Sequence, residues 1–354
     1  MSELSPAVTD EAVAKKKLWI FIACAYGIPA IITIFMIIGR KMETDLSAIV
    51  SAQMMTPALG VIMGKLICRK KDEKMQVGTY ILYVVLTALM LIGGMIVALI
   101  PAKTVTISGQ SMSMGALICQ LPLIILSPVI TAFFLLGKKE QREESGLGWK
   151  NTGMSIFMIA LFLVLYFVRA FGTTIISDLI SGTSTLGDQL KGLVTLQAIL
   201  SLVSVGMSLP LSCIAFFGEE YGWRYYLQPI MLDKFGKRKG ILLLGLVWAF
   251  WHINICYFYY SPQTGTMMFL AQIITCVSIA IFFGYGYIKS KNMWVPILMH
   301  FFNNNLIPFL NGGDASVIED QTVTAHDILV HLIISLIFAA FIFSPVFSDK
   351  KKEA

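Results

Sequence analysis

Residues 79–100 read TYILYVVLTALMLIGGMIVALI, a run without a single charged side chain. About 20 apolar residues in helical form cover the ~30 Å hydrocarbon core of a bilayer, because each adds about 1.5 Å and every backbone hydrogen bond closes inside the segment. This run is therefore read as a membrane-crossing helix. Nine further stretches come near the same length: 18–38, 46–68, 114–136, 154–177, 193–217, 241–260, 267–288, 293–310 and 327–347. Of these, 293–310 is the shortest.

Composition agrees over the whole chain of 354 residues, in which 56% are apolar, 14% are charged and the mean hydropathy is +0.76. Soluble domains carry nearer a quarter of their residues as charges. A soluble enzyme, a disordered chain and a nucleic-acid-binding domain are all excluded, and the partner to expect is the lipid bilayer. The net charge of +6 is spread between apolar runs. With the N-terminus in the cytoplasm, the cytoplasmic loops and tails hold 21 Lys and Arg, against four (Arg40, Lys41, Lys103, Lys191) on the other side. That is the positive-inside bias, and it puts both termini in the cytoplasm. The expected architecture is all-α, a polytopic transmembrane helix bundle of about ten spans. It divides into a cytoplasmic tail (1–17), four accessory helices (18–153), a core (154–347) and a second tail (348–354). The six cysteines all lie in apolar stretches without a CxxC, so they are packing residues. The first apolar run lacks a cleavage site and is read as a retained helix. The bare lysine-rich tail (Lys350–Lys352) suits a bacterial plasma membrane.

Charge inside a spanning helix is costly and calls for an explanation. Lys65 and Arg169 lie toward helix ends, from which long cations snorkel to headgroups. The C-terminal half is different. The sixth span is expected to end in Gly218-Glu219-Glu220-Tyr221-Gly222-Trp223-Arg224, the seventh contains Trp248-Ala249-Phe250-Trp251-His252, and the ninth contains His300-Phe301-Phe302-Asn303-Asn304. Glu220 and Arg224 are four apart and share a helix face, as do His300 and Asn304. Glu219 points about 100° away from Glu220 and faces another neighbour. All these groups fall in the cytoplasmic half of their spans. A buried carboxylate beside a histidine activates water, and a second histidine with an amide stabilises an oxyanion, so together they outline water attack on an amide. Taken singly, each has a plainer reading. Glu219 and Glu220 read as a solvated interfacial pair, His252 as a hydrogen-bonded core histidine and Asn304 as a helix cross-link. Trp223, Tyr225 and Tyr226 read as an interfacial aromatic belt.

The three motifs in order, Glu219-Glu220-x-x-x-Arg224, Trp248-x-x-x-His252 and His300-x-x-x-Asn304, resemble the CAAX protease and bacteriocin-processing family of intramembrane proteases. The resemblance covers about 193–310 and none of the first four helices. Trp248 stands where the family more often has Phe, which keeps an aromatic spacer. The resemblance makes 154–347 a protease core and implies roles. Glu219 is the general base on water, assisted by His252. His300 and Asn304 form the oxyanion hole, while Glu220 and Arg224 hold the site in shape. The implied activity is an intramembrane endopeptidase acting on membrane-associated peptides or proteins near the cytoplasmic face. No cofactor is certain. A divalent metal such as zinc stays open, with His252, His300 and Glu219 as its ligands, because the family is often labelled metalloprotease while the HExxH spacing is absent. Two other functions stay in view. A transporter would want polar groups reaching the outer half or an inverted repeat, and neither is visible. A catalytically silent member would act as a membrane scaffold or a bacteriocin-immunity protein.

Overall fold

The computed structural model describes residues 11–349 apart from 71, 102, 108, 109 and 315. Parts of the two expected tails, and with them Lys71 and Lys350–Lys352 of the charge bias, lie outside the described residues. The chain is an all-α, multi-pass membrane protein. Among the described residues eight helices are long and apolar enough to cross a bilayer: Glu11–Lys41, Ser47–Ile67, Val77–Val97, Met114–Leu136, Thr152–Ser181, Leu196–Phe235, Gly265–Ser290 and Ala325–Phe343. A ninth forms if Lys237–Trp251 and Ile253–Tyr260, bent by 45°, are taken as one span. Their outer faces are apolar, with Ile31, Ile81, Ile92, Ile118, Ile125 and Leu200 all exposed. Such a surface is untenable in water and is what lipid requires.

The count of about ten is corrected to eight or nine at one place. The expected span 293–310 is a twelve-residue helix, Trp294–Asn305, followed by a separate turn, Ile307–Leu310. Twelve residues reach only about 18 Å. Pro308, which has no N–H to donate, sits at the start of that second turn and marks the interruption. A second correction concerns the sixth span. The helix Leu196–Glu220 does not stop at the glutamates. It passes through a π-helical turn, Tyr221–Leu227, into Gln228–Phe235. A small addition to the helical plan is a hairpin in which Thr104–Ile107 pairs antiparallel with Gln110–Ser113. Ser113 then caps the next helix by accepting from the Ala116 N–H.

The described chain falls into two compact units, one of Met1–Trp149 with Ser208–Tyr226 and one of Lys150–Met207 with Leu227–Ala354. In the first, an aromatic column forms the interior. Phe217 lies 4.9 Å from Phe134, 5.4 Å from Tyr83 and 4.7 Å from Tyr221 between ring centroids. In the second, Phe162 is the hub, within 6.0 Å of Phe282, Phe283 and Phe338. Rings at these separations add dispersion and quadrupole terms to simple burial.

Two glycines flanking the glutamates are closely packed in the first unit. A Cβ on Gly218 would stand 2.5 Å from the Met54 carbonyl oxygen, and one on Gly222 would stand 2.3 Å from Pro57 Cβ. Four residues apart, they present one bare helix face to the break between Ser47–Gln53 and Thr56–Ile67. Small residues at this spacing are how membrane helices bring backbones together. Gly222→Val should therefore lower the thermal unfolding midpoint in detergent, at the upper end of the roughly 1–3 kcal/mol that overpacking costs. Gly153→Ala, whose new Cβ meets nothing within 4 Å, should leave that midpoint unchanged.

Candidate active site

The first unit carries the acidic residues. Glu219 and Glu220 are 2% and 0% exposed, which removes the solvated-pair reading. Glu220 Oε1 accepts from Arg224 Nη1 at 3.1 Å, and its Oε2 lies 3.1 Å from Arg224 Nε. Both side chains are wholly buried. The first contact is a buried charge-assisted hydrogen bond and the second an ion pair, and the four-residue spacing anticipated the pairing. The pair bridges the entry into the π-helical turn Tyr221–Leu227. Single π turns are uncommon inside α-helices and gather at functional sites.

A buried polar network secures that turn. Tyr221 and Tyr225 stack at 4.4 Å with planes 3° apart. The Tyr221 hydroxyl donates to the Ser145 carbonyl at 2.9 Å, so at the 3.2 Å contact with Tyr80 it is Tyr80 that donates. Lys65 Nζ donates to the Tyr225 hydroxyl at 3.1 Å and is itself buried. The expected snorkelling of Lys65 is therefore corrected, since its stem points inward along a helix whose flanks are covered. Trp223, Tyr225 and Tyr226 are likewise not a belt. Trp223 is buried edge-on against Phe21 and Tyr26, at 5.8 and 6.2 Å, and Tyr226 tilts against Phe21 at 5.0 Å. Gly218 and Gly222 also contribute to this site, and the sequence reading gave them no role. The Gly-x-x-x-Gly spacing was the available signal.

The second unit carries the histidines. His252 ends the helix Lys237–Trp251 at φ −87°, ψ 0°, a sparsely populated conformation in which active-site residues often sit. The chain bends there, and a further π-helical turn, Cys256–Tyr260, follows. His252 Nδ1 is 2.9 Å from the Trp248 carbonyl oxygen, which can only accept. Nδ1 therefore carries the proton, and Nε2 is left as the nitrogen able to take one. Cys276 Sγ is 3.8 Å from the same Nδ1. Trp248 also packs edge-on against both histidines, 5.7 Å from His252 and 5.6 Å from His300. The aromatic spacer of the second motif is thus a wall shared by two candidate site residues. His300 is buried and has Phe283 at 5.9 Å on another side. Asn304 is half-buried, and its Oδ1 accepts from Asn303 Nδ2 at 2.9 Å.

Within the units, then, Glu220 meets Arg224, Glu219 stands beside them, and His252 and His300 share Trp248. Among the described residues, no three His, Cys, Asp or Glu side chains gather as a metal-ligand set. A protein zinc site needs three or four such ligands, so no chemical step is routed through a metal here.

Residues 201–306 match the family model described as Rce1-like, type II CAAX prenyl endopeptidase. The match spans all three motifs and leaves Met1–Trp149 outside it. No curated protein and no solved structure matches the chain. The segment 201–306, with its buried glutamates, its two histidines against Trp248 and Asn304 in motif order, is thus similar to the type II CAAX prenyl endopeptidase family.

Proposed function

We propose that this protein is an intramembrane endopeptidase that hydrolyses peptide bonds of membrane-associated peptides or proteins near the cytoplasmic face of a cell membrane. In this reading the Glu219 carboxylate takes a proton from water, with His252 assisting through Nε2. The water oxygen attacks the scissile carbonyl carbon. The negative oxygen that forms takes hydrogen bonds from a His300 ring N–H and from Asn304 Nδ2. The proton then passes to the departing nitrogen as the C–N bond breaks. Glu220 and Arg224 hold the helix that bears Glu219.

One observation carries the reading: Glu219 is buried on an apolar helix within a segment matched by a protease family model. Burial of a carboxylate in a membrane helix is expensive, and such a group marks a functional site. Support also comes from the proton on His252 Nδ1, which leaves Nε2 as the acceptor. The magnitudes are adequate, since general-base assistance contributes about 10²–10⁴-fold and each oxyanion donor about 10²–10³-fold.

The test uses full-length protein in nanodiscs, offered a pool of leader peptides and farnesylated peptides with a four-residue tail, with and without a chelator. Products are read by mass spectrometry. Wild type should cleave, and Glu219→Gln should lose at least about 10²-fold in kcat with an unchanged unfolding midpoint. An unchanged cleavage rate with chelator is expected of the metal-free route. Cleavage retained in Glu219→Gln would sink the assignment of the base, and a folded wild type that cuts nothing would favour the scaffold or immunity role. Arg224→Met should act differently, lowering stability by roughly 3–5 kcal/mol because Glu220 is left charged and buried. Thermal unfolding checks this, and a drop no larger than that of an exposed-site variant would refute it.

A further inference from the structure

Arg169 sits inside a long spanning helix of the second unit, Thr152–Ser181, and is drawn into the protein. It does not snorkel as the sequence suggested. Its Nη2 donates to Asn303 Oδ1 at 3.2 Å, and its guanidinium carbon lies 5.2 Å from the Tyr166 ring and 5.7 Å from the Phe338 ring. Among the described residues no carboxylate pairs with it. An ionisable group placed so in a membrane helix is there for a purpose other than packing.

The direction of the hydrogen bonds supplies that purpose. A guanidinium has five N–H donors and no acceptor, so the end of the Asn303 amide that faces Arg169 must be its oxygen. The Asn303 Nδ2 then points the other way, where it meets the Asn304 oxygen at 2.9 Å. With Oδ1 occupied, Asn304 turns its own Nδ2 hydrogens outward. Either amide alone can flip by 180° at little cost, because oxygen and nitrogen are nearly the same size. A group that can only donate, or only accept, locks the chain in one direction, and a guanidinium can only donate. We propose that Arg169, acting through Asn303, is a positioning residue that fixes the Asn304 amide with its N–H groups toward the substrate. The inference rests on the oxyanion role given to Asn304 above. Flipped, Asn304 would present a lone pair to a negative oxygen and repel it. Arg169 lies outside the matched segment 201–306, and Asn303 stands at one of the unspecified positions of the His300-x-x-x-Asn304 motif.

The decisive variant is Asn303→Asp. It keeps and strengthens the Arg169 contact, but the new carboxylate has nothing to donate, so it draws the Asn304 Nδ2 toward itself and turns Asn304 Oδ1 outward. A role confined to structure predicts a tolerated or stabilised protein. The relay predicts a kcat lower by about 10–100-fold, a KM within about twofold and an unfolding midpoint no lower than wild type. Activity is measured on an internally quenched farnesylated peptide with a four-residue tail, using the full chain in nanodiscs. Asn304→Ala should lose about 10²–10³-fold in kcat. Arg169→Met, which keeps length and loses the donors, should lower kcat about 10-fold in wild type and less than about twofold in the Asn304→Ala background, because the two act through one amide. This coupling decides the matter if Asn303→Asp does not fold. Arg169→Lys, with a donor retained, should recover part of the loss. If Asn304→Ala is impaired while Asn303→Asp retains wild-type kcat, or if Arg169→Met and Asn304→Ala add in full, the relay is overturned and the oxyanion role stands. If Asn304→Ala is as active as wild type, or wild type cuts nothing, that role falls and the relay falls with it.

Discussion

A glutamate and an arginine that are each wholly withdrawn from solvent can coexist only while they hold one another, and Glu220 and Arg224 do so through two contacts of 3.1 Å. The desolvation of two such charges is offset only while each stays beside the other. Much of the surrounding structure is arranged to keep it. The π-helical turn sets the helix register from Tyr221 to Leu227, the stacked tyrosines brace it, and Lys65 reaches in to one of them. The glycines at 218 and 222 let the neighbouring backbone close over the same stretch. Glu219 therefore sits on one of the most constrained helical segments of the first unit.

The second unit solves a related problem by other means. His252 is placed where a helix ends, bends and resumes, so that a backbone carbonyl one turn earlier selects its tautomer. Trp248 does double service, with its carbonyl directing His252 and its indole walling both His252 and His300. Both motif regions thus lie at departures from regular α-helix. Such departures cost local hydrogen-bond regularity and recur where a side chain must be aimed.

The extent to which this was readable beforehand follows from the physics of each feature. Membrane helices announce themselves because hydrocarbon tolerates neither charge nor open backbone, so runs such as 114–136 were located to the residue. The pairing of Glu220 with Arg224 was legible because four-residue spacing is a property of the helix itself. The continuation of the sixth helix past Glu220 was hidden, since charged and aromatic residues there look like a loop until their burial is known. Lys65 and Arg169 were misjudged for a similar reason. A long cation can reach outward to headgroups or inward to a phenol or an amide, and only the tertiary neighbours decide which.

The glycine contact has a bearing on how the chain is divided. The family match begins at residue 201, but the compact unit containing Glu219 is completed by Met1–Trp149, which no motif marks. The border of recognisable ancestry and the border of physical packing run through different places. The early helices are tied to that unit by the backbone around Met54 to Pro57 against Gly218 and Gly222, and by the contacts of Lys65 with Tyr225, Tyr80 with Tyr221 and Phe21 with Trp223. A fragment cut at the border of the match would therefore lay bare the glycine face and the tyrosines that these helices cover.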